Sequence, residues 1–152
     1  IPPMPFSAAV AFQEIKNGTY QDAYLNLYTR LLRQLFTTSD GATLKIIIEQ
    51  NGKIPQNKIR ELTTEIYSKI HLSGGRAPQK PPDIVFCEKQ DEPNISISDL
   101  ISSTFTTYAD DKRTERERFR EFERIRDKIR YIVDIETAQF FTRKRPFIRQ
   151  WS

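Results

Sequence analysis

The sequence contains few of the residues that build disulfides and metal centres. It has one cysteine, Cys87, and one histidine, His71, in 152 residues. A single cysteine excludes a disulfide within the chain and is typical of a reducing compartment, so we expect a cytoplasmic location. One cysteine and one histidine also cannot supply the ligand set of an ordinary zinc site.

Long apolar runs and a signal peptide are missing as well. No stretch approaches the roughly 18 consecutive apolar residues of a membrane-spanning helix, so we expect no membrane partner. Residues 1–5 (IPPMP) lack the basic and apolar regions of a signal peptide. Because the sequence begins with isoleucine, we expect an earlier part of a longer protein to precede it.

The positive charge is concentrated near the C-terminus. The formal net charge is +4, and residues 137–152 contain basic side chains but no acid. Aromatic residues lie among these basic ones, a pattern typical of segments that neutralise phosphates and stack on bases. A solvated tail that binds nothing explains the same composition. We predict nucleic acid as the partner, contacted by Arg143, Lys144, Arg145 and Arg149.

The strongest structural signal is the apolar run within Leu44–Glu49 (LKIIIE). Its consecutive isoleucines, bounded by Asp40-Gly41 and Asn51-Gly52, predict a strand that is apolar on both faces. Such strands lie inside a sheet covered by helices, so we predict that this one is central. Glu49 ends the strand, and ligands bind at the carboxyl ends of strands in open α/β sheets.

The remaining segments alternate between strand and helix patterns. Short apolar runs predict strands at 6–13 and 83–89, and helical spacing predicts helices over 20–36, 55–72 and 97–108. This order predicts the α/β class with parallel crossovers.

The C-terminal segment continues the helical spacing through dense charge. Apolar residues recur from Lys112 to Phe141, which predicts one long charged helix whose apolar stripe binds a protein partner. We therefore divide the chain into an α/β domain at 1–109 and a long charged helix with a basic aromatic tail at 110–152.

Two acids are candidates for chemistry, Glu49 and Asp99. Asp99 lies at the flank of an apolar helix face, where a carboxylate is costly unless it is paired or bound to a cation. Carboxylates from a strand end and a nearby helix are typical ligands of Mg²⁺ or Mn²⁺, ions that activate water for attack on a phosphodiester. The alternative is that Asp99 caps its helix, because acids are favoured in the first turn.

Six segments between Phe6 and Tyr108 carry a resemblance to a known family. They are FSAAVAF, YQDAYLNLYTRLLRQLF, LKIIIEQNG, IRELTTEIYSKI, PDIVFCEKQ and ISISDLISS. Together they resemble the C-terminal part of an uncharacterised bacterial and phage family of the ribonuclease H-like group, whose full domain opens with an Asp-Glu-Ser-Gly strand. The acids of that family's middle strand and closing motif fall on Glu49 and Asp99. Where the family more often has aspartate followed by arginine, this sequence has Glu49 and Gln50.

The resemblance implies a ribonuclease H-like mixed sheet flanked by helices, of which this chain holds the later part, since it has no Asp-Glu-Ser-Gly stretch. It implies a metal-dependent nuclease that hydrolyses phosphodiesters, with Glu49 and Asp99 as catalytic metal ligands and Mg²⁺ or Mn²⁺ as cofactor. The alternative is a non-catalytic module that keeps the fold and binds protein or nucleic acid within a larger complex.

Overall fold

The structure is a computed structural model that describes residues 8–13, 18–109, 115–142 and 144–146. It is mixed α/β, with a mixed sheet flanked by helices and a separate parallel pair of strands. The strands are β1 (Ala8–Phe12), β2 (Lys45–Glu49), β3 (Asp83–Cys87), β4 (Ile129–Asp134) and β5 (Gln139–Phe141), and the α-helices are α1 (Tyr20–Thr38), α2 (Gln56–Leu72), α3 (Pro93–Ala109) and α4 (Glu115–Arg126). Within these described ranges, none of the helices has the length and apolar character needed to cross a bilayer.

The chain divides into two compact units. Residues 13–95 form one, which we call the middle unit, and residues 1–12 with 96–152 form the other, which we call the terminal unit. The terminal unit joins both ends of the chain because β1 pairs with β4. The predicted domain division between residues 109 and 110 stays a prediction.

The middle unit contains the parallel β2–β3 pair with α1 and α2. Ile46 lies beside Ile84 in the strand register, and α2 forms the crossover between the two strands, as the alternating pattern predicted. Thr19 caps α1, since its Oγ1 accepts a hydrogen bond from Asp22 N at 3.1 Å. The helices pack around Phe36, which is 0% exposed and meets the Tyr67 ring edge-on at 6.1 Å.

The terminal unit contains the mixed sheet. Its strand order is β1-β4-β5, with β1 parallel to β4 and β4 antiparallel to β5. The α3 and α4 helices meet where Tyr108 and Phe122 stack with ring centroids 4.0 Å apart. Phe105 of α3 reaches the sheet and lies 5.4 Å from the ring of Phe12. These aromatic contacts hold the helices against the sheet.

The long helix predicted from Lys112 to Phe141 is wrong. Helix α4 ends at Arg126, and the chain then turns and continues as β4 and β5. Residues 129–134 (IRYIVD) are rich in β-branched and aromatic side chains, which fit a pleated and half-buried surface. The strand state prevails because the backbone of β1 hydrogen-bonds along β4, a pairing between opposite ends of the chain that helical spacing cannot reveal. Lys112 itself lies outside the described residues.

The prediction that β2 is the centre of a sheet is also wrong. Among the described strands, β2 pairs with β3 alone, and β1 pairs with β4 in the other sheet. The six earlier elements are nevertheless confirmed in type and order, with ends that differ by a few residues. Three of the predicted helices and three of the predicted strands correspond to α1, α2, α3, β1, β2 and β3.

Candidate functional site

Glu49 lies where the sequence placed it, at the carboxyl end of β2. It is exposed and stands beside Cys87, the last residue of β3, in the parallel register. The ladder continues for one further step because Gln50 N donates to Cys87 O at 2.9 Å. Both strands of the pair therefore end at the same edge, which we call the carboxyl edge.

Carboxylates lie near Cys87 at the carboxyl edge of the middle unit. Partial burial raises the pKa of the Cys87 thiol, and the carboxylates of Glu92, Asp91 and Glu49 raise it further, while Lys45 lowers it. Since the thiolate is the nucleophilic form, a thiol with a raised pKa is protonated at neutral pH. Cys87 is therefore poorly suited to covalent catalysis.

A set of three side chains also lies at this edge, in and beside the loop after β2, and these residues match no sequence motif. The Asn51 Nδ2 donates to Tyr20 Oη at 3.4 Å, and its Oδ1 accepts from Lys53 N at 2.9 Å. The Lys53 ammonium lies 5.0 Å from the centroid of the Tyr20 ring. We call Tyr20, Asn51 and Lys53 the loop cluster. The Asn51-Gly52 turn was visible in the sequence, but its contact with the start of α1 depends on tertiary structure.

Asp99 lies in α3, within the terminal unit, and is half-buried. The helix begins at Pro93, so Asp99 falls in its second turn and the first turn holds no acid. The alternative interpretation, in which Asp99 caps its helix, is therefore wrong. A carboxylate in the second turn does not stabilise the helix end, so any role of Asp99 depends on the residues around it.

Glu49 and Asp99 thus belong to different compact units. Over the described ranges, no three histidine, cysteine, aspartate or glutamate side chains are grouped as a metal site requires. Ions such as Mg²⁺ take about six oxygen ligands and use carboxylates from the protein to anchor them. The described side chains therefore do not amount to a ligand set for such an ion.

Two of the four predicted phosphate-binding residues are described, Lys144 and Arg145. Both are exposed in the turn after β5, which closes through Thr142 N to Arg145 O at 2.8 Å. The Arg145 guanidinium lies 5.9 Å from the centroid of the Phe141 ring. Arg143 and Arg149 lie outside the described residues.

A groove of about 290 Å³ opens beside this turn in the terminal unit. It is lined by both apolar and polar side chains, of which Glu123 and Arg126 pair at 2.8 Å. The lining residues are Phe122, Glu123, Arg126, Asp127, Ile129, Tyr131, Ile132, Phe141, Thr142 and Pro146. Concave sites that combine apolar walls with a few polar groups are common binding pockets.

Comparisons with known proteins do not assign the chain to a family. No family model, no curated protein and no solved structure matches it. The ribonuclease H-like resemblance therefore stays a prediction, and the structure establishes a mixed α/β fold.

Proposed function

We propose that this chain is a nucleic-acid-processing domain of ribonuclease H-like type, with its site at the carboxyl edge of the β2–β3 pair. The observation that carries the proposal is the position of Glu49. It is an exposed carboxylate at the end of a strand that a helical crossover joins in parallel to its neighbour. The region outside such strand ends is where open α/β sheets bind their ligands.

Cationic side chains of the terminal unit support nucleic acid as the substrate class. Lys144 and Arg145 are exposed, and the nearby Arg143 and Arg149 add two more charges in the sequence. Each such residue that meets a phosphate releases condensed counterions, which favours binding at low salt. We therefore expect affinity for nucleic acid to fall as salt concentration rises.

The catalytic form of the proposal is a Mg²⁺- or Mn²⁺-dependent nuclease, for which the sequence offers Glu49 and Asp99 as separate candidate ligands. Such an ion would polarise a phosphodiester and activate water when bound. This form needs further oxygen ligands, because the described residues do not group enough of them. The contribution of Glu49 and Asp99 themselves would be negative charge, which attracts the ion.

The second candidate is a non-catalytic module that binds a partner within a larger complex. The observation that favours it is the groove of the terminal unit, which is lined by both apolar and polar side chains. Part of the lining comes from α4, the helix that replaces the first part of the predicted long helix. A protein segment with a small apolar anchor fits a groove of this kind.

Oligonucleotide cleavage separates the two candidates. Labelled single-stranded and duplex oligonucleotides are incubated with the chain and Mg²⁺, Mn²⁺ or a chelator. The wild-type chain is compared with Glu49→Gln and Asp99→Asn, and with Glu61→Gln, which changes an exposed acid of α2 as a matched control. We expect metal-dependent cleavage that both site variants lose and the control keeps.

Two results would change this assignment. Cleavage that persists in Glu49→Gln and Asp99→Asn removes those residues from the mechanism. Binding without cleavage at any metal concentration favours the non-catalytic module. Circular dichroism of each variant shows whether a loss of activity reflects a loss of fold.

A further inference from the structure

We propose that the loop cluster of Tyr20, Asn51 and Lys53 contacts an unpaired nucleobase and its phosphate, so that the ligand of the carboxyl edge is single-stranded nucleic acid. This inference rests on the proposed function and names the substrate class for the same edge. It requires an accessible aromatic ring, a cation within reach of it, and a position next to Glu49. The structure supplies all three.

The first observation is a row of tyrosines along α1. Tyr20, Tyr24 and Tyr28 follow one another at a spacing of one helical turn, with ring centroids 6.3 Å and 6.5 Å apart. Burial raises the pKa of both Tyr24 and Tyr28, and Tyr28 also bonds Thr63 in α2. Packing therefore accounts for the two inner rings, whereas Tyr20 is 47% exposed. Part of the outer ring remains open to solvent next to the part that faces the Lys53 ammonium.

The second observation is that the exposed ring is held in place. Asn51 donates to its hydroxyl and also accepts from the backbone of Lys53, so one side chain fixes both the ring and the loop. The loop is anchored further by Ile54, which is buried. A ring that is already ordered loses little freedom when a ligand stacks on it, so less of the binding energy is lost to ordering.

The third observation is the cation. The Lys53 ammonium lies 5.0 Å from the centroid of the Tyr20 ring, on a flexible stem. Aromatic rings with nearby cations are the general means of binding single strands, since the ring stacks on a base and the cation neutralises the backbone. Asn51 adds an amide that can donate to or accept from a base edge.

The location connects the cluster with the proposed chemistry. Asn51 follows Glu49 by two residues, and the start of α1 lies against the same loop. A nucleotide bound there lies next to the acid that ends β2. Bases within a duplex are stacked on one another and hide their faces, so the cluster selects unpaired bases.

The test uses fluorescence anisotropy with the whole chain and a labelled oligothymidylate or oligouridylate of about 12 nucleotides. Tyr20→Leu removes the ring, Tyr20→Phe keeps the ring without the hydroxyl, and Lys53→Gln removes the charge. Lys80→Gln is the matched control for the charge, because it removes an exposed lysine from the loop that precedes β3, away from the carboxyl edge. A duplex of the same length is the comparison ligand.

We expect Tyr20→Leu to weaken single-strand binding by about 5- to 150-fold. Tyr20→Phe keeps the stacking ring and loses only the Asn51 hydrogen bond, so it should weaken binding less than Tyr20→Leu. Lys53→Gln should instead lower the slope of log affinity against log salt by about 0.7, the value for one phosphate contact on a single strand. Tyr20→Leu should leave that slope unchanged, since stacking releases no counterions. If the loop cluster only holds the loop in place, Tyr20→Leu will not weaken binding and Lys53→Gln will not lower the slope.

Failure of this inference is distinguishable from failure of the proposed function. If the chain binds or cleaves oligonucleotides and Tyr20→Leu matches the wild type, the inference is overturned and the proposed function stands. If duplex binds as tightly as single strands and Tyr20→Leu weakens both, the single-stranded substrate class is wrong. If no oligonucleotide binds at all, both are overturned. Circular dichroism confirms that each variant is folded.

Discussion

The hydrogen bond between Tyr28 of α1 and Thr63 of α2 gives a sharp test of how the middle unit is held together. The two hydroxyl oxygens are 2.7 Å apart, and Thr63 also donates to Ile59 O at 2.7 Å. Because the Thr63 proton is used in that second bond, Tyr28 is the donor in the first. Thr63 is 2% exposed, so water cannot replace a lost partner at its hydroxyl.

The two single variants should differ in cost. Tyr28→Phe removes the donor and leaves Thr63 bonded to Ile59, so we expect a loss of about 0.5–1.5 kcal/mol in the free energy of unfolding. Thr63→Val keeps the shape but leaves the half-buried Tyr28 hydroxyl without its acceptor, at a cost of about 1–3 kcal/mol. The double variant leaves no unpaired hydroxyl, so its loss should be about 1 kcal/mol smaller than the sum of the two.

Urea denaturation followed by circular dichroism measures these free energies. Additive losses in the double variant would refute this account of the contact.

Two further predictions concern the terminal unit and alkaline pH. Ala138, in the turn between β4 and β5, has φ 55, a left-handed conformation that glycine adopts more easily. Ala138→Gly should therefore raise the free energy of unfolding by about 0.5–1 kcal/mol in urea, and a lower value contradicts the geometry. Burial raises the pKa of several tyrosines, so their contribution to stability is complete below about pH 10 and is lost as pH rises through their folded-state pKa values. The tyrosines concerned are Tyr24, Tyr28, Tyr108 and Tyr131. Tyr24→Phe should reduce the loss of unfolding free energy at alkaline pH, and an unchanged loss would exclude Tyr24 as a source of it.

Local chemistry was sufficient for the elements of the middle unit. Helical spacing predicted a helix over 20–36, and α1 begins at Tyr20 with Thr19 as its cap. The isoleucines of β2 indicated a strand, and Glu49 was expected at its carboxyl end, where it lies. Each of these features depends on neighbours within one turn or one strand, so the pattern of side chains carries the information.

The failure at β4 has a different origin. Its isoleucines satisfy a helical spacing and a strand composition at the same time, and the helical spacing alone led to the wrong prediction. The turn after it is stabilised by Asp134, whose carboxylate accepts from Glu136 N and from Thr137 Oγ1. Aspartate at such a position is a turn signal, and it was available in the sequence.

The candidate site also has features that the sequence predicts and features that it does not. The position of Glu49 on its strand was predictable, but the contact of Asn51 and Lys53 with Tyr20 was not. It joins residues about thirty positions apart through side chains whose identities are common in any exposed loop. The assignment of Asp99 to α3 was correct, while its membership of a different compact unit from Glu49 was invisible in the sequence.

The sequence by itself determined α1, α2, α3, the parallel β2–β3 pair and the acid at its carboxyl edge, because short-range periodicity and turn residues govern these features. Only the tertiary structure decided that β1 pairs with β4, that β4 and β5 replace the end of the predicted long helix, and that an exposed tyrosine lies under a lysine of the loop after β2. The physical reason is that strand pairing and side-chain clusters gain their energy from partners that are distant in the chain. Local preference at any one residue does not identify those partners.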